Sequence, residues 1–103
     1  MDLFCGVGAL SLPLAGRFAE VHGWELSRDA VRDANENASR NGIRNAAYHA
    51  ADLASPPAGA PDPDVVVCDP PRAGMSRETV EFLRGSPAQR LVYVSCNPAT
   101  QAR

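Results

Sequence analysis

Residues 2–8 read Asp2-Leu3-Phe4-Cys5-Gly6-Val7-Gly8, two glycines directly after a short apolar stretch and before a helical pattern. Met1 to Phe4 reads as the tail of a buried strand, and the turn that follows lets bare backbone approach a ligand with free amides pointing outward. A helix is expected from about Ala9 to Phe18. Working outward, Glu20 to Glu25 alternates as a strand, and Ser27 is the N-cap of an amphipathic helix that runs to about Asn41 and is closed by Gly42. Ala46 to His49 is a weak third strand, and the Ala/Pro-rich stretch from Leu53 to Pro63 is a loop. Asp64 to Cys68 has the β-branched run of a strand buried on both faces, ending at Asp69-Pro70-Pro71. A short helix from about Arg77 to Leu83 and a second buried strand from Arg90 to Val94 lead into Ser95-Cys96-Asn97-Pro98.

Strands alternating with helices imply a parallel sheet with right-handed crossovers, which binds ligands at the carboxyl ends of its strands. Every unusual cluster in this chain falls at such an end. Glu25 follows Gly6 by 19 residues, about where an acidic side chain accepts the ribose hydroxyls of a nucleotide-like cofactor. A tight turn plus a surface acid would look the same. A dinucleotide fold would carry a third glycine where this chain has Ser11, so a nicotinamide reading loses ground. Asp2, ahead of the turn, suits a cofactor with a cationic amino acid moiety. Asp52 is a candidate for the adenine edge and equally a loop-capping aspartate.

Asp69-Pro70-Pro71-Arg72 fixes the backbone and projects its flanking groups from a strand end, so that Asp69 faces cofactor and target. Arg72 suits an RNA phosphate or a carboxylate equally well. Cys96 ends another strand, where a thiol acts as a nucleophile if local dipoles or cations favour the thiolate. On the residues alone an inert buried cysteine is the better reading. Cys5 and Cys68 are assigned to packing.

Composition bounds the rest. The chain has 103 residues, one small α/β domain or less, and a net charge of −2. All ten basic residues are arginines scattered singly, so RNA affinity would be local or supplied elsewhere. The three cysteines form no C-x-x-C pair, which disfavours zinc, clusters and redox dithiols, and no metal is expected in this segment. No stretch approaches the roughly 18 to 20 apolar residues of a membrane span, and no secretory signal pattern opens the chain. It reads as cytoplasmic, with no membrane partner.

Taken together, DLFCGVG, the Glu25 spacing, DPPRAG (69–74) and YVSCNPATQAR (93–103) resemble the RNA uracil-5-methyltransferase family over essentially the whole chain. The paired DPPR and SCNP elements are far more specific than the glycine turn. The resemblance implies an α/β, Rossmann-like class I S-adenosylmethionine-dependent methyltransferase fold, with a mostly parallel sheet, helices on both faces and its last strands lacking. It makes residues 1–103 a partial catalytic domain. It implies S-adenosyl-L-methionine as cofactor, with Asp2, Phe4, Gly6, Gly8, Ala9, Glu25, Asp52 and Asp69 around it. Phe4 and Ala9 would flank the methionine part, Glu25 would hold the ribose, and Asp69 would lie near the target base. Cys96 becomes the nucleophile that adds to C6 of a flipped-out uracil, and Arg72 an RNA contact.

The family often has a polar residue where this chain has Ala9, leaving only the backbone amide there. Its proton-accepting glutamate, a glutamine-bearing segment, the RNA-binding domain and the last strands are expected outside these residues. The PATQAR ending leans toward ribosomal over transfer RNA as substrate. A cytosine-5 enzyme would carry Cys, and an amino-group methyltransferase an aromatic, where this chain has Arg72. A non-catalytic cofactor-binding or interaction module is the rival reading. An unpaired sheet edge would make the chain marginally stable or prone to self-association.

Overall fold

The computed structural model describes residues 1–94 apart from Pro56 and Ala58. Within them, five strands form one parallel sheet: β1 (Asp2–Leu3), β2 (Val21–Glu25), β3 (Ala46–Ala50), β4 (Val65–Cys68) and β5 (Arg90–Tyr93), in the order β3-β2-β1-β4-β5. Sequential strands step outward from β1 in one direction, and β4 and β5 in the other. The order therefore reverses at β1, which opens a crevice at its carboxyl end.

Two α-helices cover opposite faces of the sheet. The first, α1 (Arg28–Arg40), starts as read, with the Ser27 hydroxyl accepting from the Ala30 N–H at 3.2 Å. It ends in a Schellman turn: Gly42, at φ +66°, donates to the Ser39 carbonyl, and Ile43 to that of Ala38. Val31 and Ala34 bury against Tyr48 and Cys5, and the small alanine lets α1 approach β2 and β3 closely. The second helix, α2 (Arg77–Arg84), is capped by Ser76 and contributes Leu83 to the other core, formed by Leu3, Trp24, Leu53, Val66 and Cys68. The buried Thr79 hydroxyl donates to the Leu53 carbonyl at 3.0 Å, tying α2 to the loop after β3.

Three expectations are corrected. The segment after the glycine turn is a short 3₁₀ helix, Leu12–Arg17, in place of an α-helix over 9–18. Pro13 supplies no amide and Gly16 weakens any continuation, while the Ser11 side chain is held by Tyr48 and caps nothing. In β4 only Val66 and Cys68 are buried, with Val65 and Val67 half-buried on the opposite face. In β5, Leu91 and Val92 are 52% and 48% exposed, so it is an apolar edge strand among the described residues. A β-branched run reports strand propensity but not what covers the strand.

Candidate functional site

Main-chain hydrogen bonds continue past the strand ends and bring the carboxyl ends into line. Cys5 donates to the Trp24 carbonyl (3.1 Å), Ala51 to that of Glu25 (2.9 Å), Asp69 to that of Leu3 (3.3 Å) and Val94 to that of Cys68 (2.9 Å). The glycine turn, Glu25, Asp52 and Asp69 thus share one edge of the sheet. Cys96 and the rest of the SCNP segment lie outside the described residues.

The glycine turn is built from left-handed backbone. Phe4 (φ +60°), Gly6 (+55°) and Gly8 (+83°) all have positive φ, and Phe4 is the single non-glycine residue among the described ones to do so. Such a conformation costs a side-chain-bearing residue about 1–2 kcal/mol, held here because the Phe4 ring packs on the Leu3/Trp24 core. A Cβ on Gly6 would meet nothing within 4 Å, whereas one on Gly8 would lie 3.0 Å from Leu12 and 3.1 Å from Tyr48. Gly6 therefore fronts open space and Gly8 seats the turn on the core. Ala9 is exposed beside it.

Glu25 binds this turn directly. Its Oε1 accepts from the Gly6 N–H at 3.2 Å and its Oε2 from the Ser27 N–H at 2.7 Å, which fixes the carboxylate across the crevice from Gly6. Each oxygen keeps a lone pair for a further donor. Asp52 is exposed and its Oδ1 caps the Ala54 N–H at 2.9 Å, the loop-capping arrangement, with Oδ2 uncommitted by that contact. Asp69 and Arg72 are both exposed, and Arg72 forms no ion pair with the described residues.

Asp2 is the anomaly. It is 1% exposed, and neither carboxylate oxygen has a hydrogen-bond partner among the described residues. Burial pushes its pKa up, and Asp69 adds to the rise while the nearby Ser11 hydroxyl tempers it. The Ser11 hydroxyl also lies 2.8 Å from the Tyr48 hydroxyl, and either of the two can be the donor. A buried carboxylate without a partner is costly and calls for a ligand that supplies donors or positive charge.

Three residues of the site escaped the sequence reading. Gly23, opposite both Asp2 and Tyr48 in the sheet, leaves room for the Tyr48 ring to lie across β2; a Cβ there would be 2.5 Å from that ring and 3.0 Å from the Cys5 sulfur. Asn35 of α1 clamps both backbone groups of Tyr48, at 3.0 and 3.1 Å. A glycine inside a strand was the available signal for this close approach. Cys5 and Cys68 are buried, and desolvation pushes both thiols up to about 12, consistent with packing roles.

A cavity of about 370 Å³ lies elsewhere. Its walls include Leu14, Phe18, Val21, Val65, Val67 and Val92, on the face of the sheet that also carries α1 and toward the amino ends of the strands. Its lining is mostly apolar; the carboxylates in it are Glu20, Asp62 and Asp64, and none of Asp2, Glu25, Asp52 and Asp69 lines it. No helix among the described residues is long and apolar enough to cross a membrane.

Residues 1–85 match the family described as Methyltransferase domain. An RNA methyltransferase of Nitratidesulfovibrio vulgaris, described as uncharacterized, is 41% identical across 99% of this chain and 23% of its own length. The 23S rRNA (uracil(1939)-C(5))-methyltransferase RlmD of Hahella chejuensis is 47% identical across 100% of this chain and 25% of its own. Among solved structures, the tRNA (uracil-54, C5)-methyltransferase of Pyrococcus abyssi in complex with S-adenosyl-L-homocysteine superposes with a TM-score of 0.87 at 34% identity, over 99% of this chain and 25% of that one. The chain thus spans about a quarter of the length of these relatives. With the strand order, the glycine turn at the reversal point and Glu25 across from it, these matches establish that the chain belongs to the methyltransferase-domain family and has its Rossmann-like class I fold.

Proposed function

We propose that this chain is the cofactor-binding part of an S-adenosylmethionine-dependent enzyme that methylates C5 of a uridine in RNA. The observation that carries the reading is the pairing of a buried Asp2 carboxylate, without a hydrogen-bond partner among the described residues, with a Glu25 carboxylate bound to the glycine turn. These two anions suit the two ends of S-adenosylmethionine, the α-ammonium and the ribose diol. Gly6 leaves space and Gly8 anchors the turn, while Phe4 and the Ala9 amide border the amino acid part. Asp52, through its uncommitted oxygen, is assigned to the adenine edge, and Asp69 to the target side of the crevice.

When bound, the cofactor supplies an electrophilic sulfonium methyl. The chain's own contribution is Cys96, whose thiolate adds to C6 of the uracil and makes C5 nucleophilic; after methylation a base removes the C5 proton and the thiolate leaves. Neither Cys5 nor Cys68 suits this task, because burial holds both as thiols. Arg72 is assigned to an RNA phosphate. Support for uracil C5 comes from two relatives whose names carry that chemistry, one acting on 23S rRNA and one on tRNA, and from the SCNP motif. The higher identity to the ribosomal RNA enzyme favours that substrate. The RNA-binding domain and the group that accepts the C5 proton are assigned to the part of the relatives this chain does not span.

The test is trapping on 5-fluorouridine-containing RNA with S-adenosylmethionine, comparing wild type with Cys96→Ala, because fluorine at C5 cannot leave as a proton and the adduct persists. A covalent adduct that requires Cys96 supports the proposal. Cofactor binding with no adduct would replace it with a cofactor-binding module.

A further inference from the structure

A helix capped by serine often spends its third position on the same cap, with a glutamate or glutamine there reaching back to a free N–H. α2 opens Ser76-Arg77-Glu78-Thr79, but its third position is turned outward. Ser76 Oγ accepts from the Thr79 N–H at 3.2 Å and gives its own proton to Thr79 Oγ1 at 3.0 Å. The Thr79 hydroxyl donates in turn to the Leu53 carbonyl at 3.0 Å, 26 residues away in sequence. The direction of this chain is fixed, because a carbonyl has no proton to give. Thr79 is wholly buried, and among the described residues this is the one side-chain hydrogen bond from α2 to a distant part of the fold.

Leu53 directly follows Asp52, and its side chain is sunk in the core. The residue before Asp52 is held as well, since the Ala51 N–H donates to the Glu25 carbonyl at 2.9 Å. Asp52 thus stands exposed between two fixed neighbours, with Oδ1 on the Ala54 N–H at 2.9 Å. We infer that Thr79 is a positioning residue: it anchors the backbone at Leu53 so that Asp52 presents its carboxylate to the amino edge of the cofactor's adenine. The ligand in this assignment rests on the cofactor reading above, but the tether does not. Because α2 follows the 69–74 segment directly, the same bond ties the adenine side of the crevice to the side assigned to the target base. The gain is preorganisation, since a carboxylate on a loose loop has to be ordered at each binding event.

Thr79→Val keeps the shape of the side chain and removes the hydroxyl. S-adenosylhomocysteine carries a donor at C6 of its base and S-inosylhomocysteine an acceptor, so the ratio of their affinities, measured by calorimetry, reads the alignment of Asp52. That ratio should be about tenfold in wild type and in Thr79→Ser, which keeps the hydroxyl, and about twofold in Thr79→Val. Thr79→Ala, read the same way, is a second variant without the hydroxyl. Asp52→Ala should lower the ratio equally and leave nothing for Thr79→Val to remove. A ratio that Asp52→Ala lowers but Thr79→Val leaves at the wild-type value, with only the melting temperature reduced, would overturn this inference alone. A ratio untouched by Asp52→Ala would overturn it together with the adenine assignment. Should wild type bind neither ligand, the cofactor reading fails and amide exchange decides. The Ala54 N–H should then exchange about tenfold faster in Thr79→Val, beyond any change at the amides of β2 and β4, and an equal rate would refute the tether.

Discussion

Replacing Gly23 by alanine places a methyl group where the Tyr48 ring lies, 2.5 Å from Cδ1 and 2.7 Å from Cε1, and 3.0 Å from the Cys5 sulfur. These distances are far inside van der Waals contact, so something must shift. The ring has little freedom, because Asn35 holds the Tyr48 backbone at 3.0 and 3.1 Å and the hydroxyl is tied to Ser11. Backbone relief is equally restricted, since β2 is paired on both sides, to β1 and β3. Overpacking of this kind costs typically 1–3 kcal/mol and sometimes more, and the rigid surroundings put the expected loss at about 3 kcal/mol. For a chain of this size that is roughly 12–24 °C in melting temperature, followed by circular dichroism with urea unfolding as a second measure. Tyr48→Ala should itself cost about 3–5 kcal/mol through its cavity, yet the double variant should cost clearly less than the sum, because the small side chain removes the clash. A loss below about 1 kcal/mol for Gly23→Ala, or strict additivity in the pair, would refute the packing argument.

Asp2→Asn should raise stability at pH 7 by about 1–3 kcal/mol and abolish cofactor binding, seen by thermal melts and calorimetry. The sign follows from the raised pKa: between the unfolded value of about 3.9 and the higher folded value the native state holds a proton that the unfolded state has released. Wild type therefore loses stability as pH rises through that window, and the variant should show a flatter profile. Asn35→Ala removes both clamps on Tyr48 and should cost about 1–2 kcal/mol in urea unfolding while accelerating amide exchange at Tyr48. Gly6→Ala meets no protein atom, so its stability cost should be only the roughly 1–2 kcal/mol of left-handed backbone, whereas its loss of cofactor affinity, measured by titration, should be disproportionately large.

Local signals carried far in this chain. Ser27 and Gly42 mark the ends of α1 because capping depends on residues within one turn of the helix, and Asp69-Pro70 stops β4 for a similarly local reason. The strand-to-glycine-turn-to-Glu25 spacing places the candidate site because a crossover of that length in a parallel sheet leaves little choice of where its ends meet. What escaped the sequence was set by distant partners. In the 3₁₀ segment Ser11 caps nothing, its hydroxyl lying 2.8 Å from that of a residue 37 positions away. The exposure of β5 depends on what packs beside it, which the run Arg90–Tyr93 does not encode. That Asp2 is buried with no hydrogen-bond partner among the described residues is invisible to any motif, since it depends on what packs around it. Gly23 was the readable clue, a glycine inside a strand that only a ring from the neighbouring strand explains.

The central claim is that the cofactor binds at the carboxyl ends of the strands and not in the apolar cavity beside Val21, Val65 and Val92. Titrating ¹⁵N-labelled protein with S-adenosylhomocysteine tests it most directly. The account predicts saturable shifts at the amides of Gly6, Gly8, Glu25 and Ala51, with Val21, Val65 and Val92 unmoved. Shifts confined to Val21, Val65 and Val92, or none at saturating ligand, would contradict it.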